Sequence, residues 1–388
     1  MPEFGPPSGN KEVRDYAAIL AHSFAGKPDD MLQWLAQLSE REVRVWREGR
    51  HVTAGVVAYR IGQYFGGRPV PMAGVAGVVV TPHARATGAG SKAMTALLRE
   101  LHAEGVALST LYPATQPIYR RLGYELAGVR TGYRVPVGAC ELKRQPGTLR
   151  PAPEEEQLFD SLARERAKQA NGHLERNGFF WRRLWGKGDD TAFRYIIEVE
   201  GKPAGFLIYR TKRTEFPLQD LLVADWWAAN DKAARRLLAF FGEHRSVGAN
   251  VQIFGAPMEP LLFCLPEQKW KVDTRWEWMT RIVHLPAALQ ARGYPVMAEL
   301  EIELDITDDV LADNQGRWRL ALEKGKGRVT RGGSGRVKLD IRGLAALYSS
   351  ALGPSDLARL GYLKAGVADQ AALAQAFAGP APWLPDFF

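Results

Sequence analysis

The chain has 388 residues, of which 46% are hydrophobic and 24% charged; 51 Lys and Arg stand against 43 Asp and Glu, a formal net charge of +8. At about 150 residues per domain this length predicts two or three domains, and the composition excludes global disorder. The charge surplus would suit a polyanion, but the basic residues are spread over the whole sequence, so it marks no nucleic-acid partner.

The opening MPEFGPPSGNKEVRDY lacks a basic n-region and an apolar h-region and reads as a flexible leader. From residue 11 to about 137, strand and helix signals alternate, which predicts an α/β unit. His51 to Ile61 is β-rich, and Met72 to Val80 is a fully apolar strand. That strand is also the longest apolar run, far short of the about 20 residues needed to cross a bilayer, so no membrane span is predicted and the protein is expected to be cytoplasmic. A helix is predicted over Ser91 to Glu104, because Met94, Leu97, Leu98 and Leu101 recur at helical spacing and Gly105 stops it.

Residues 141–156 carry three prolines without apolar periodicity and are predicted to form a linker. A second block follows, with a helix from Gln157 to Ala170, strands over Phe193 to Val199 and Gly205 to Tyr209, and a helix from Lys232 to His244. Leu285-Pro286 opens a third block of α+β character, where Ala298 to Ile306 alternates as a half-buried strand does. Its basic, glycine-rich stretch is expected to be a surface hairpin turning at Gly332-Gly333.

The chemistry points to the first block. A strand runs into Thr81-Pro82-His83-Ala84-Arg85-Ala86-Thr87-Gly88-Ala89-Gly90 and then into a helix. A helix start offers unpaired N–H groups and a partial positive charge, and glycines let a pyrophosphate approach the backbone. The pattern is R-x-x-G-x-G, without the third glycine and the following acid of a dinucleotide fold, which disfavours a dehydrogenase. Cys140 and Cys264 are too few for a disulfide framework or a cysteine metal site. The seven histidines show no metal-ligand spacing, so no metal is expected.

R-x-x-G-x-G resembles the acyl-CoA motif of the GNAT N-acetyltransferases. Gln116-Pro117-Ile118-Tyr119-Arg120-Arg121-Leu122-Gly123-Tyr124 is similar to that family's Y-x-x-x-G-F/Y segment. The three blocks and the ending Trp383-Leu384-Pro385-Asp386-Phe387-Phe388 look like the Eis-type branch (enhanced intracellular survival). The resemblance implies two tandem GNAT-like domains plus a C-terminal sterol-carrier-protein-like domain, with boundaries at 1–137, 138–284 and 285–388. It implies acetyl-CoA as cosubstrate, held by Val78, Val79 and Val80, by Arg85, Ala86, Thr87, Gly88, Ala89, Gly90 and Ser91, and by Ala114 and Thr115.

By the same resemblance Tyr119 is the general acid, and the α-carboxylate of Phe388 enters the active site. Phe24, Trp34, Asp386 and Phe387 become pocket candidates, Phe24 and Trp34 equally as helix core residues. Ala86 and Thr87 stand where relatives often carry more arginines, which predicts weaker phosphate binding. The second domain has Ala-Ala-Asn-Asp-Lys-Ala-Ala-Arg-Arg where the motif would fall and is expected to bind no cofactor. The expected reaction is direct acetyl transfer to an aminoglycoside, a polyamine or a lysine side chain, in a homo-oligomer that the resemblance makes a hexamer. The alternatives are a non-enzymatic lipid- or ligand-binding protein with an inactive GNAT domain, and a basic nucleic-acid-associated factor.

Overall fold

The structure, a computed structural model, describes residues 3–142 and 145–388. The chain forms two compact units. The first comprises residues 3–127, 278–379 and 387–388, and the second residues 128–277, without 143 and 144, and 380–386.

In the first unit, strand β1 (Glu3–Gly5) pairs with β2 (Val43–Glu48), so the expected leader is structured from Glu3 onward; Met1 and Pro2 lie outside the described residues. Helices α1 (Asn10–Phe24) and α2 (Pro28–Leu35) follow β1. Strand β3 (His51–Phe65) and strand β4 (Arg68–Val80) form a long hairpin closed by Gly66-Gly67, both at positive φ as a tight two-residue turn requires. Helix α3 (Ala89–Ala103) crosses to β5 (Leu108–Leu111), which is parallel to β4, and α4 (Gln116–Arg121) comes next. Met279–Ile282 of the strand Lys271–Ile282 then pairs antiparallel with β5. Met94, Leu97, Leu98 and Leu101, the stripe read from the sequence, are fully buried against Val56, Val75 and Tyr119.

The sterol-carrier-like part has strands Lys326–Arg331, Gly316–Glu323, Leu300–Thr307, Val337–Asp340 and Leu363–Lys364 side by side. Its hairpin turns at Lys324-Gly325, not at Gly332-Gly333. The latter pair opens the connection to Val337–Asp340, which runs parallel to Leu300–Thr307 and so cannot be its hairpin partner.

The second unit repeats the strand, helix, parallel-strand order: Gln219–Ala228, Asp231–Glu243, then Gly248–Gly255. Within the stretch expected as a linker, Thr148–Pro151 is a strand on Phe193–Val199, while Lys143 and Arg144 lie outside the described residues. Four residues of edge strand are too short for a periodicity signal, and prolines are tolerated at an edge.

Candidate active site

Strand β4 carries a bulge. Ala76 pairs with Val57 and Val79 with Gly55, so Gly77 and Val78 both stand opposite Val56. Gly77 has φ +59, a conformation that costs other residues about 1–2 kcal/mol. The hydroxyl of Tyr16 on α1 donates to the Gly77 carbonyl at 2.7 Å, and its ring fills the space over Gly55, where a Cβ would lie 2.3 Å from it. Burial pushes the Tyr16 hydroxyl well above the ordinary range, so it stays a donor.

Pairing of β4 with β5 covers Met72 to Val75 only. Beyond Val75 the two strands part, and the amides of Ala76 to Val80 that face away from β3 have no ladder partner on that side among the described residues. Val78, Val79 and Val80 therefore line the opening between the strands.

The segment of residues 81–88 then turns the chain into α3. Arg85 is exposed, Ala86 sits at φ +65 and Gly88 at φ +85. Among the described residues no side chain caps α3, so its first-turn amides (Ala89, Gly90, Ser91) keep their donors and the positive end of the helix unmasked. A Cβ at Gly90 would lie 3.0 Å from Val80 Cγ2, which explains the second glycine. Residues 81–91 thus fit a pyrophosphate through backbone donors, with Arg85 free in the solvent to reach it. Ala114 and Thr115 are exposed just before α4, where Thr115 is the first flanking residue.

The corresponding corner of the second unit is less suited to phosphate. Only residues 229–230 separate strand from helix, Asn230 Oδ1 accepts the Ala233 amide at 2.9 Å, and Asp231 puts a negative charge in the first turn.

Tyr119 lies on α4 with its ring buried against Tyr124, 5.8 Å between centroids. Burial pushes its hydroxyl up to about 12. The glycine of the motif, Gly123, has φ +85, and a Cβ there would stand 2.8 Å from the Arg281 guanidinium carbon. Arg281 and Asp308 are a fully buried ion pair at 2.6 Å, so the turn after Tyr119 rests on an immovable group.

Phe388 packs its ring on β4: a Cβ at Gly74 would be 3.1 Å from it. Tyr59 meets that ring edge-on at 6.2 Å, and Tyr112 at 5.9 Å. Phe387 lies tilted against Tyr112 at 4.7 Å between centroids, and Trp34 Nε1 donates to the Tyr59 hydroxyl at 3.0 Å. Trp34, Phe387 and Phe388 are therefore brought together.

Phe24 is not part of this group; it ends α1 with its ring 57% exposed, and so is no core residue either. Asp386 belongs to the second unit, where its buried carboxylate accepts from Arg176 Nε at 2.9 Å; its charge is already matched. Tyr16, Tyr59, Gly74, Gly77 and Tyr112 escape the sequence motifs. Glycines inside an apolar strand, at 74 and 77, were the available signal of close approach and of a bulge.

A bulged strand, an uncapped helix beyond a glycine segment and a splayed parallel neighbour define an acyltransferase of the GNAT class. The GNAT acetyltransferase domain family matches residues 7–127 and, through a second model, residues 172–282; the sterol carrier protein domain family matches 285–385. A GCN5-related N-acetyltransferase structure from Anabaena variabilis is 32% identical, covers all of both chains and superposes with a TM-score of 0.95. An N-acetyltransferase of Streptomyces griseus is 28% identical over 83% of each chain. N-acetyltransferase Eis of Mycobacterium tuberculosis is 26% identical over 76% of this chain and 75% of its own. The chain belongs to the GCN5-related N-acetyltransferase family, as an N-acetyltransferase of the Eis type. Among the described residues no helix is long and apolar enough to cross a membrane.

Proposed function

We propose that the first GNAT domain transfers acetyl from acetyl-CoA directly to an amine. The observation that carries this reading is the sequence of features along β4: the seat of Phe388 at Gly74, the bulge at Gly77-Val78, and the glycine turn into uncapped α3. Together they would put an acceptor, a thioester carbonyl and a pyrophosphate in chain order along one strand. Cosubstrate phosphates would be held by the amides of residues 88–91 and by Arg85, and the carbonyl oxygen by unpaired amides between Val78 and Val80.

The amine nitrogen attacks the thioester carbon, the C–N bond forms, the C–S bond breaks, and the sulfur takes up a proton. A free alkylamine has a pKa of about 10.4, whereas an α-carboxylate lies at about 3.5, a gap of roughly 9 kcal/mol for direct transfer. The Phe388 carboxylate therefore attracts and orients the ammonium and passes its proton through water, rather than removing it in one step. Tyr119 faces the other end of the reaction as hydrogen-bond donor to the departing sulfur.

Trp34, Tyr59, Tyr112 and Phe387 offer aromatic surface to a cation, while Asp386 is committed to Arg176. The reading therefore favours amines on an apolar body, or lysine side chains, over polycationic aminoglycosides. It includes a cytoplasmic homo-oligomer, hexameric as in the family it resembles. A thiol-release assay with acetyl-CoA against a panel of amines and amine-bearing peptides tests it; release no faster than the hydrolysis background with every acceptor would end it.

A further inference from the structure

The second unit holds a cavity of about 530 Å³ where the strand Gln219–Ala228 leaves the helix Asp231–Glu243, within the range of small-molecule sites. Trp226, Trp227 and Trp383 line it, with Ala228 and Ala229 below and Pro380 and Ala381 of the tail at its side. The polar side chains of its lining are those of Arg166, Gln169, His173, Asn230, Asp231 and Glu259.

His173 lines the cavity, is 1% exposed, and neither of its ring nitrogens has a hydrogen-bond partner. Burial, then the nearby Arg166 guanidinium, hold it far below the ordinary histidine range, so it is a neutral ring with one unused acceptor and one unused donor. A buried polar group without a partner is costly unless something supplies one.

Glu259 is 6% exposed and carries no ion pair among the described residues; its oxygens accept the amides of Ala256 and Leu261 at 3.0 and 3.1 Å. Burial raises its pKa against those two amides. Asp231 adds a second negative charge at the rim. Arg166, the cation of the lining, is paired with Asp225 at 2.6 Å and donates to the Trp226 carbonyl, while its Nε has no hydrogen-bond partner among the described residues. The two carboxylates of the lining outnumber its one guanidinium, the walls are largely apolar and aromatic, and the imidazole of His173 has no hydrogen-bond partner among the described residues.

We infer that this cavity is a binding site for a small organic monocation, an ammonium on an aromatic or alkyl body. Its N–H would donate to His173, its charge would offset Glu259, and its body would lie among the tryptophans. An anion meets two carboxylates and a capped helix start, so phosphates and CoA are excluded from it. The site is separate from the proposed catalytic one and does not depend on that assignment.

Fluorine NMR on the full chain labelled with fluorotryptophan tests this, with Trp226, Trp227 and Trp383 assigned by single substitution to Phe. Titration with 2-phenylethylammonium should shift these resonances saturably. Against it, 2-phenylethanol should bind at least tenfold more weakly and phenylacetate should give no shift. Glu259→Gln, which keeps an acceptor but removes the charge, should weaken the ammonium at least tenfold. Should that variant lose its fold, Ala381→Trp, at an exposed position on the rim, should abolish the Trp226 and Trp227 shifts. Trp34 reports separately on the catalytic unit. Shifts confined to Trp34, none at millimolar ammonium, or equal affinity for the alcohol would each overturn the inference.

Discussion

Replacing Tyr119 by Phe removes one hydroxyl and keeps the ring in its packed place, so it isolates the proton-donor role. A tyrosine of ordinary pKa would lie about 1.5 units above a CoA thiol at about 8.5, but burial places Tyr119 at about 12. The gap becomes 3.5 units, or about 5 kcal/mol for a complete proton transfer in the free enzyme. Full transfer that leaves a tyrosinate is thus costly, and on the proposed mechanism the hydroxyl would contribute chiefly as a donor to developing negative charge on sulfur. Such a bond is worth about 1.5–3 kcal/mol, so kcat should fall roughly 10- to 150-fold, towards the low end for general acids.

The acetyl-CoA KM should stay within about twofold, because the proposed pyrophosphate site lies on α3. The sign of the pH dependence follows from the upward shift: the protonated form, which is the active one, persists to about pH 12, so kcat should show no alkaline fall attributable to this residue below about pH 11. Steady-state thiol release between pH 6 and 10.5 measures all three quantities. An unchanged kcat, or an effect found wholly in KM, refutes the assignment; an alkaline limb near pH 10 that vanishes in Tyr119→Phe refutes the shift.

Extending the chain by three residues after Phe388 replaces the terminal carboxylate by a peptide bond and, on the proposed mechanism, should lower kcat at least tenfold with acetyl-CoA binding intact; full activity in the extended form would remove the carboxylate from the mechanism. Gly74→Leu places its side chain where the Phe388 ring now lies and should mimic the extension, as judged by kcat and acetyl-CoA KM side by side. Gly123→Ala meets both a positive φ and the buried Arg281, so it should cost at least about 2 kcal/mol in denaturant unfolding, and Asp308→Asn about 3–5 kcal/mol through the uncompensated guanidinium. Burial alone would raise the Glu125 carboxyl, but the Leu126 amide with Arg342 and Arg120 outweighs it and holds the pKa low. Its stabilisation is therefore present above the unfolded value of about 4.3 and is lost as pH falls below it. Glu125→Gln should be less stable than the parent at pH 7 and lose that difference in acid; a constant difference across pH would show that the charge is not what counts.

Periodic burial and turn chemistry are local properties, and the chain states them plainly. The stripe Met94, Leu97, Leu98, Leu101 gives α3, Gly88 and Gly90 give its phosphate-fit approach, and Tyr119 with Gly123 mark the second motif. The segment Thr148–Pro151 shows where that legibility stops, since a short edge strand is made by its partner and not by its own pattern. The hairpin at Lys324-Gly325 was hidden for a related reason: strand register, which is set by neighbours, decides which glycine pair is a turn.

Side-chain partnerships across long separations belong to the fold alone. Asp386 and Phe387 are adjacent in sequence, yet one is neutralised by Arg176 and the other packs against the Tyr112 ring. The acidity of Tyr119, the support of the bulge by Tyr16, and the matched or unmatched charge of each buried carboxylate depend on solvent exclusion. Water is excluded by residues tens to hundreds of positions apart, which no local pattern encodes.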